Sequence, residues 1–133
     1  MSYDPQQVGR YGKLIEIWAA DRYPITLDYP TIGDLRLDGT DDQGRPWDVK
    51  GSMVNSASRS TFKFWEDQHS TLGDHGGGYV LVWYHASESG ISVDHSRSIK
   101  ARDIRIDNWT SPGSTHHRSH SKEAQIPAKQ LKR

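Results

Sequence analysis

No cysteine occurs anywhere in the 133 residues, which excludes a disulfide framework, thiolate nucleophiles and Cys-ligated zinc. No apolar run approaches the roughly 20 residues that span a bilayer, and the opening Met-Ser-Tyr-Asp-Pro-Gln-Gln lacks the charged and apolar regions of a signal peptide. The expectation is a soluble, cytoplasmic protein. There is no Gly-x-Ser-x-Gly elbow for a serine hydrolase. Gly76-Gly77-Gly78 does not match a phosphate-cradling loop, because it follows a helical pattern and leads into a strand. Net charge is also missing: 17 Lys and Arg balance 17 Asp and Glu, which argues against a uniformly basic nucleic-acid binder. What is present is a lean but foldable composition, 33% hydrophobic and 26% charged, with five Trp and six Tyr supplying much of the burial. This length suits one domain over residues 1–133.

Val8, Tyr11, Leu14, Ile15 and Trp18 recur at helical spacing, which predicts an amphipathic helix from about Gln6 to Arg22. Glu16 lies on the flank of that stripe in line with Gly9 and Gly12, small residues that would let the helix approach a neighbour. Pro24 and Pro30 bracket a short strand at Ile25 to Asp28, and Gly33 precedes a further strand. The polar stretch Gly51 to Thr61 reads as a connection. Phe62, Trp65, His69 and Leu72 are spaced for one face of a second helix capped by Ser60 or Thr61. Tyr79 to Tyr84 is nearly all apolar, as in a central strand buried on both faces. Ile91, Val93 and His95 alternate with polar residues as a half-exposed strand. Asp107 to His120 reads as an extended loop, and Ala124 to Leu131 as a short strand followed by a helical turn started by Pro127.

The chemistry gathers around the turn-rich stretch Gly39 to Pro46. Asp38 precedes it and Asp48-Val49-Lys50 follows it, so an acid on one strand faces an acid and a lysine on the other. Strand side chains alternate, so Asp48 and Lys50 share a face while Val49 points to the core. Two carboxylates with a lysine one step on make a hard divalent-cation site, because Mg²⁺ prefers oxygen ligands. The lysine is placed to orient or deprotonate a metal-bound water, or to offset charge developing on a phosphate. Asp34 competes with Asp38 as the first acid, since alternation puts Asp34, Arg36 and Asp38 on one face. A turn centred near Asp42 sets Asp38 across from Asp48, whereas Asp34 would pair beyond Lys50. Asp41 and Asp42 sit in the turn itself, where local backbone hydrogen bonds account for them.

On these residues the chain resembles the PD-(D/E)xK, restriction-endonuclease-like nuclease superfamily. The resemblance covers roughly the first two thirds of the chain: a helix bearing Glu16, the acid-bearing strands, the Asp48-Val49-Lys50 triplet, a second helix and the Tyr79 strand. The implied fold is α/β in the order α-β-β-β-α-β, with a central mixed sheet flanked by helices. The leading Pro-Asp of the family motif is absent, because Leu37 precedes Asp38 and Gly33 precedes Asp34. Archaeal Holliday-junction resolvases, which the layout resembles, use a longer spacing between acids that favours Asp34. The resemblance implies a Mg²⁺- or Mn²⁺-dependent nuclease, most readily a DNA endonuclease. Asp38, Asp48 and the Val49 carbonyl would ligate metal, Lys50 would serve the attacking water or the phosphate, and Glu16 would complete the outer ligand shell. Gln68 would stand near the site on the second helix. A homodimer is implied if two strands are cut.

Charge distribution supports a nucleic-acid partner better than the zero sum does. Asp28 to Asp48 holds six acids against two arginines, whereas Arg97 to Arg133 holds nine Lys or Arg against three acids. A basic segment is what would keep a phosphate chain near an acidic cluster, with Arg118 and Lys122 as the expected phosphate contacts in a basic, His-containing segment at 107–133. His116, His117 and His120 lack the spacing of zinc ligands on a helix. The alternatives are a catalytically inactive nucleic-acid-binding or interaction module on the same fold, and an unrelated small α/β enzyme in which Asp48-Val49-Lys50 is only a surface strand.

Overall fold

The computed structural model describes residues 5–55, 60–111 and 121–132, with side chains from Arg10 onward. The first helical pattern becomes α1, Pro5–Arg22. Its four-residue repeat of Tyr11, Ile15 and Ala19 is buried, while Ile17 on the opposite side is exposed. Four short strands follow, β1 (Ile25–Thr26), β2 (Thr31–Ile32), β3 (Leu35–Arg36) and β4 (Gly39–Asp41), then the longer β5 (Pro46–Met53). Next come β6 (Thr61–Trp65), α2 (Glu66–Asp74), β7 (Gly78–Ser87), β8 (Gly90–Lys100), a 3-10 turn at Ala101–Asp103, β9 (Glu123–Pro127) and α3 (Ala128–Leu131).

Five strands form one mixed sheet in the order β1-β4-β5-β7-β8. The β1, β4 and β5 strands run as an antiparallel meander, β7 joins β5 in parallel, and β8 returns antiparallel beside β7. A parallel neighbour requires a crossover, and here β6 and α2 supply it. Alternation along β7 then divides the core. Val80, Val82 and Tyr84 face α1 together with Trp47 and Ile25, whereas Tyr79, Leu81 and Trp83 face Phe62, Phe64, Leu72, Ile104 and Leu131. This is the both-faces burial expected of a central strand. Val49 packs on the α1 side, so Asp48 and Lys50 turn to the other face, beside Tyr79 and Leu81 of β7.

Three expectations change. Phe62 to Leu72 is not one helix: residues through Trp65 form β6, paired antiparallel with β9, and the helix begins at Glu66 after Trp65 with no side-chain cap. Phe62 and Phe64 are buried and Lys63 exposed, a period of two concealed because Phe62, Trp65, His69 and Leu72 also fit a helical stripe. The strand expected at Ile25 to Asp28 shrinks to two residues, and a separate β2–β3 hairpin is inserted before β4. Finally, close approach of α1 does not depend on Gly12, around which an added Cβ would meet nothing within 4 Å. It depends on Gly51 in β5, where a Cβ would come within 2.6 Å of the Ile15 side chain.

Candidate active site

The hairpin between β4 and β5 is closed by Asp41. Its carboxylate accepts from the backbone N–H groups of Gln43 and Arg45, each at 2.9 Å, from Arg45 Nε at 2.8 Å and from Trp47 Nε1 at 3.0 Å. Burial opposes ionisation, but the Trp47 and Arg45 donors outweigh it and hold this carboxyl below the usual range. The register that the turn imposes, Gly39 opposite Trp47, carries Asp38 across from Asp48, and Asp38 N–H donates to the Trp47 carbonyl at 3.2 Å.

Asp48 is buried, 6% exposed, near the middle of the sheet. Lys50 Nζ lies 3.2 Å from Asp48 Oδ2 and 6.0 Å from the centre of the Tyr79 ring. Asp38 accepts the Val49 N–H at 2.8 Å through Oδ2 and lies across from Asp48 in the hairpin register. Burial first, and the Asp48 charge second, push the Asp38 carboxyl up to about 8, against the lowering effect of the Val49 N–H; Glu16 adds to the rise. A strand residue points its N–H and C=O to the same side. The Val49 carbonyl therefore looks toward Asp38, beyond the end of the β4 ladder, which stops at the Gly39–Trp47 pair.

Beneath the pair, Tyr79 is fully buried. His69 Nε2 lies 3.0 Å from the Ile104 carbonyl and must donate to it, which leaves Nδ1 to accept from the Tyr79 hydroxyl at 2.8 Å. Burial keeps the imidazole pKa low, consistent with that neutral tautomer. Burial, and then the nearby Asp48 charge, raise the Tyr79 phenol above its ordinary value.

The expected site residues divide into those brought together and those left apart. Asp38, Asp48, Lys50 and the Val49 backbone converge. Glu16 joins from α1: it lines a cleft of about 530 Å³ with Asp38, Gly12, Lys13, Tyr29 and Arg36, and its Oε1 accepts the Tyr29 hydroxyl at 2.8 Å. Gln68 is on α2, 6% exposed, and its Oε1 has no hydrogen-bond partner among the described residues. Asp34 is not on the strand that leads to Asp38; it is exposed in the tight turn joining β2 and β3, away from the lining of that cleft. Lys122 is exposed just before β9, and Arg118, His116, His117 and His120 lie outside the described residues.

Lys13, Tyr29 and Arg36 were not among the expected residues. Tyr29 precedes Pro30, a position normally extended, yet it adopts φ 48°. No local pattern announces a left-handed tyrosine.

As a donor set, two carboxylates and a main-chain carbonyl are all hard oxygens suited to Mg²⁺ or Mn²⁺. The Asp48 charge, after burial, disfavours ionisation of Asp38, and a divalent cation between the two carboxylates would offset that repulsion. No group of three or more His, Cys, Asp or Glu side chains with metal-holding geometry is found among the described residues, so the main-chain carbonyl and water would have to complete any coordination shell.

A family model of the PD-(D/E)XK nuclease superfamily domain matches residues 1–132. The chain belongs to the PD-(D/E)XK nuclease superfamily. The mixed five-stranded sheet flanked by helices is accordingly restriction-endonuclease-like, with the small β2–β3 hairpin as an insertion in its meander. Membership supports a nuclease acting on nucleic acid, and nucleases of this superfamily generally use divalent metals. No curated protein and no solved structure matches the chain. Among the described residues no helix is long and apolar enough to cross a membrane.

Proposed function

We propose that this PD-(D/E)XK domain is a Mg²⁺- or Mn²⁺-dependent endonuclease that hydrolyses phosphodiester bonds, with DNA as the substrate. The reading rests on one observation above all. Asp38 stands across from Asp48 at the end of the β4 ladder, its Oδ2 taking the Val49 N–H at 2.8 Å, with Lys50 3.2 Å from Asp48 on the same strand face; burial first, and the Asp48 charge second, push the Asp38 carboxyl up to about 8.

Asp38, Asp48 and the Val49 carbonyl would hold the ion, and Glu16 would complete the outer shell. When bound, the ion supplies Lewis-acid polarisation of the phosphate and a lowered pKa for its water. The chain's own residues do the rest. Lys50 keeps a cation beside the carboxylate pair, where it can orient the attacking water or offset charge developing on the phosphate. The Tyr79 ring under Lys50 limits where that ammonium can go, and the Tyr79–His69–Ile104 chain of hydrogen bonds fixes the ring. Asp38 is preferred to Asp34 as first ligand because Asp38 alone lies across from Asp48. Gln68, buried with an unpartnered carbonyl oxygen, is proposed as an outer contact. Arg118 and Lys122 are proposed to steady the strand. A homodimer would serve cleavage of both strands of a duplex, and a cytoplasmic setting accords with the cysteine-free chain.

The test is cleavage of labelled linear, circular, branched and single-stranded DNA, and of RNA, in Mg²⁺, Mn²⁺ or EDTA, by wild type and by Asp48→Ala and Lys50→Ala proteins. Metal-dependent cutting abolished in both variants is the expected outcome. A wild type that binds DNA but cuts none of these substrates would instead favour the inactive binding module.

A further inference from the structure

The cleft beside the acid pair has one wall that the proposed chemistry leaves unused. Tyr29 stands in it at φ 48°, a strained setting for a residue with a side chain. The surroundings explain what holds it there. Its N–H donates to the Asp38 carbonyl at 3.2 Å, its hydroxyl donates to Glu16 at 2.8 Å, and Lys13 Nζ donates to the same hydroxyl. The ring in turn carries two cations, with the Arg36 guanidinium 4.5 Å and the Lys13 ammonium 4.9 Å from its centroid. Three segments of chain, α1, the pre-proline bend and β3, thus meet on a single aromatic ring.

The two cations are organised without a direct ion pair, although the Glu16 charge reaches Lys13 across the shared Tyr29 hydroxyl. Neither Lys13 nor Arg36 forms an ion pair with a carboxylate among the described residues, and both are exposed. An arginine held over a ring by its guanidinium carbon, and making no hydrogen bond or ion pair to another protein group among the described residues, keeps N–H donors for phosphate oxygens. Lys13 uses one of its three donors on Tyr29 and has two to spare. Gly12 leaves the neighbouring helix surface open, since a Cβ there would meet nothing within 4 Å. The resulting cleft, about 530 Å³ and lined also by Asp38 and Glu16, has room for a sugar-phosphate unit beside Asp38.

We infer that Lys13 and Arg36, held on the Tyr29 ring, form a subsite for a non-scissile phosphate of a polynucleotide strand, which aligns the neighbouring phosphodiester with Asp38 and Asp48. The location given to the scissile bond rests on the nuclease reading; the phosphate subsite itself does not. Its partners are backbone oxygens, so it positions the strand without reading bases. It also assigns the grip to the α1 side of the sheet, in addition to the basic C-terminal segment. The acids repel a phosphate chain, and two cations in the same cleft counter that repulsion where it is strongest.

The experiment is a salt titration of binding, followed by fluorescence anisotropy with dye-labelled duplex DNA, single-stranded DNA and RNA in EDTA, where no metal-dependent cleavage intervenes. Lys13→Ala/Arg36→Ala should weaken binding roughly ten-fold or more near 0.1 M salt. It should also flatten the slope of log K against log salt by about 0.9 per lost contact on duplex, and about 0.7 on single strands. Tyr29→Ala should reproduce much of this loss, Tyr29→Phe, which removes the hydroxyl that holds Lys13, should lose less, and Arg36→Lys should keep the salt slope while losing part of the affinity, because the charge stays and the fork is gone. A purely structural role would leave the salt slope unaltered. Unchanged affinity and slope in the double variant, or a wild type that binds none of the three probes, would overturn the inference. The two readings fail separately. Cleavage by a double variant with unchanged binding removes the phosphate subsite and leaves the nuclease, whereas a flattened slope in a protein that cuts nothing removes the nuclease and leaves the subsite.

Discussion

Asp38 and Asp41 lie three residues apart on one hairpin and have opposite electrostatic fates. Asp41 is surrounded by donors, two backbone N–H groups, a guanidinium and an indole, and is held ionised below the ordinary carboxylate range. Asp38 receives one backbone N–H, and burial first, then the charge of the facing Asp48, push its pKa up to about 8. Residue type is the same, so the difference belongs to the surroundings. A carboxylate whose hydrogen-bonding capacity is filled by the protein is structural, and one left facing another acid is available to an external cation.

The sharpest way to break that comparison is at the acid pair. Asp48→Asn should reduce metal-dependent cleavage by at least about 10³-fold, beyond the 10²–10³ typical of losing one stabilising donor, and should remove any Mg²⁺-induced rise in Tm. Retained cleavage would mean that Asp48 is no ligand.

Second in size is a pH effect. Because the folded pKa of Asp38 is raised from 3.8 to about 8, the stability that its proton confers is full below 3.8 and is lost as pH rises through about 8. In EDTA, Asp38→Asn should therefore match wild type near pH 4 and melt roughly 5 °C higher at pH 9. An advantage that did not grow with pH would show that the Asp38 carboxyl is not raised in the folded protein.

Asp41 should behave in the opposite sense. Its pKa is depressed in the folded state, so its contribution is present above 3.8 and fades as pH falls below that value. Asp41→Ala should destabilise the protein by about 1–3 kcal/mol at pH 7, the scale of leaving such donors unpaired, and chemical denaturation should show that penalty shrinking in acid. The smallest effect is expected beneath the pair, where Tyr79→Phe removes the hydrogen bond to His69. A loss of about 1 kcal/mol with cleavage reduced no more than a few-fold is expected. A larger fall in cleavage would make the ring and its hydroxyl part of the positioning of Lys50.

Local periodicity made α1 and β7 legible, since each repeats its apolar positions over several turns or residues. The register of β4 against β5 was legible too, because the turn residues between Asp38 and Asp48 fix which positions oppose. The strand β6 was hidden, because its partner β9 lies some 60 residues later in the chain and no local pattern encodes a distant pairing. Asp34 illustrates the same limit at the site. Its alternation with Arg36 and Asp38 was real in the sequence, but the inserted β2–β3 hairpin breaks the strand on which that alternation depended. The Lys13–Tyr29–Arg36 assembly joins three separated segments around a backbone conformation opposite to the one that a following proline favours.

Pairing β6 with β9 joins Thr61 to Pro127 and Trp65 to Glu123, and that span has a kinetic consequence. The β4–β5 hairpin closes over a handful of residues and is suited to early formation, whereas the β6–β9 ribbon must first close a loop of some 60 residues. During refolding, Asp38 and Asp48 would thus be brought face to face while Phe62 and Phe64 still lack their final cover. The Tyr79 ring, which Phe64 meets edge-on at 4.9 Å, would gain its final packing only as that ribbon docks.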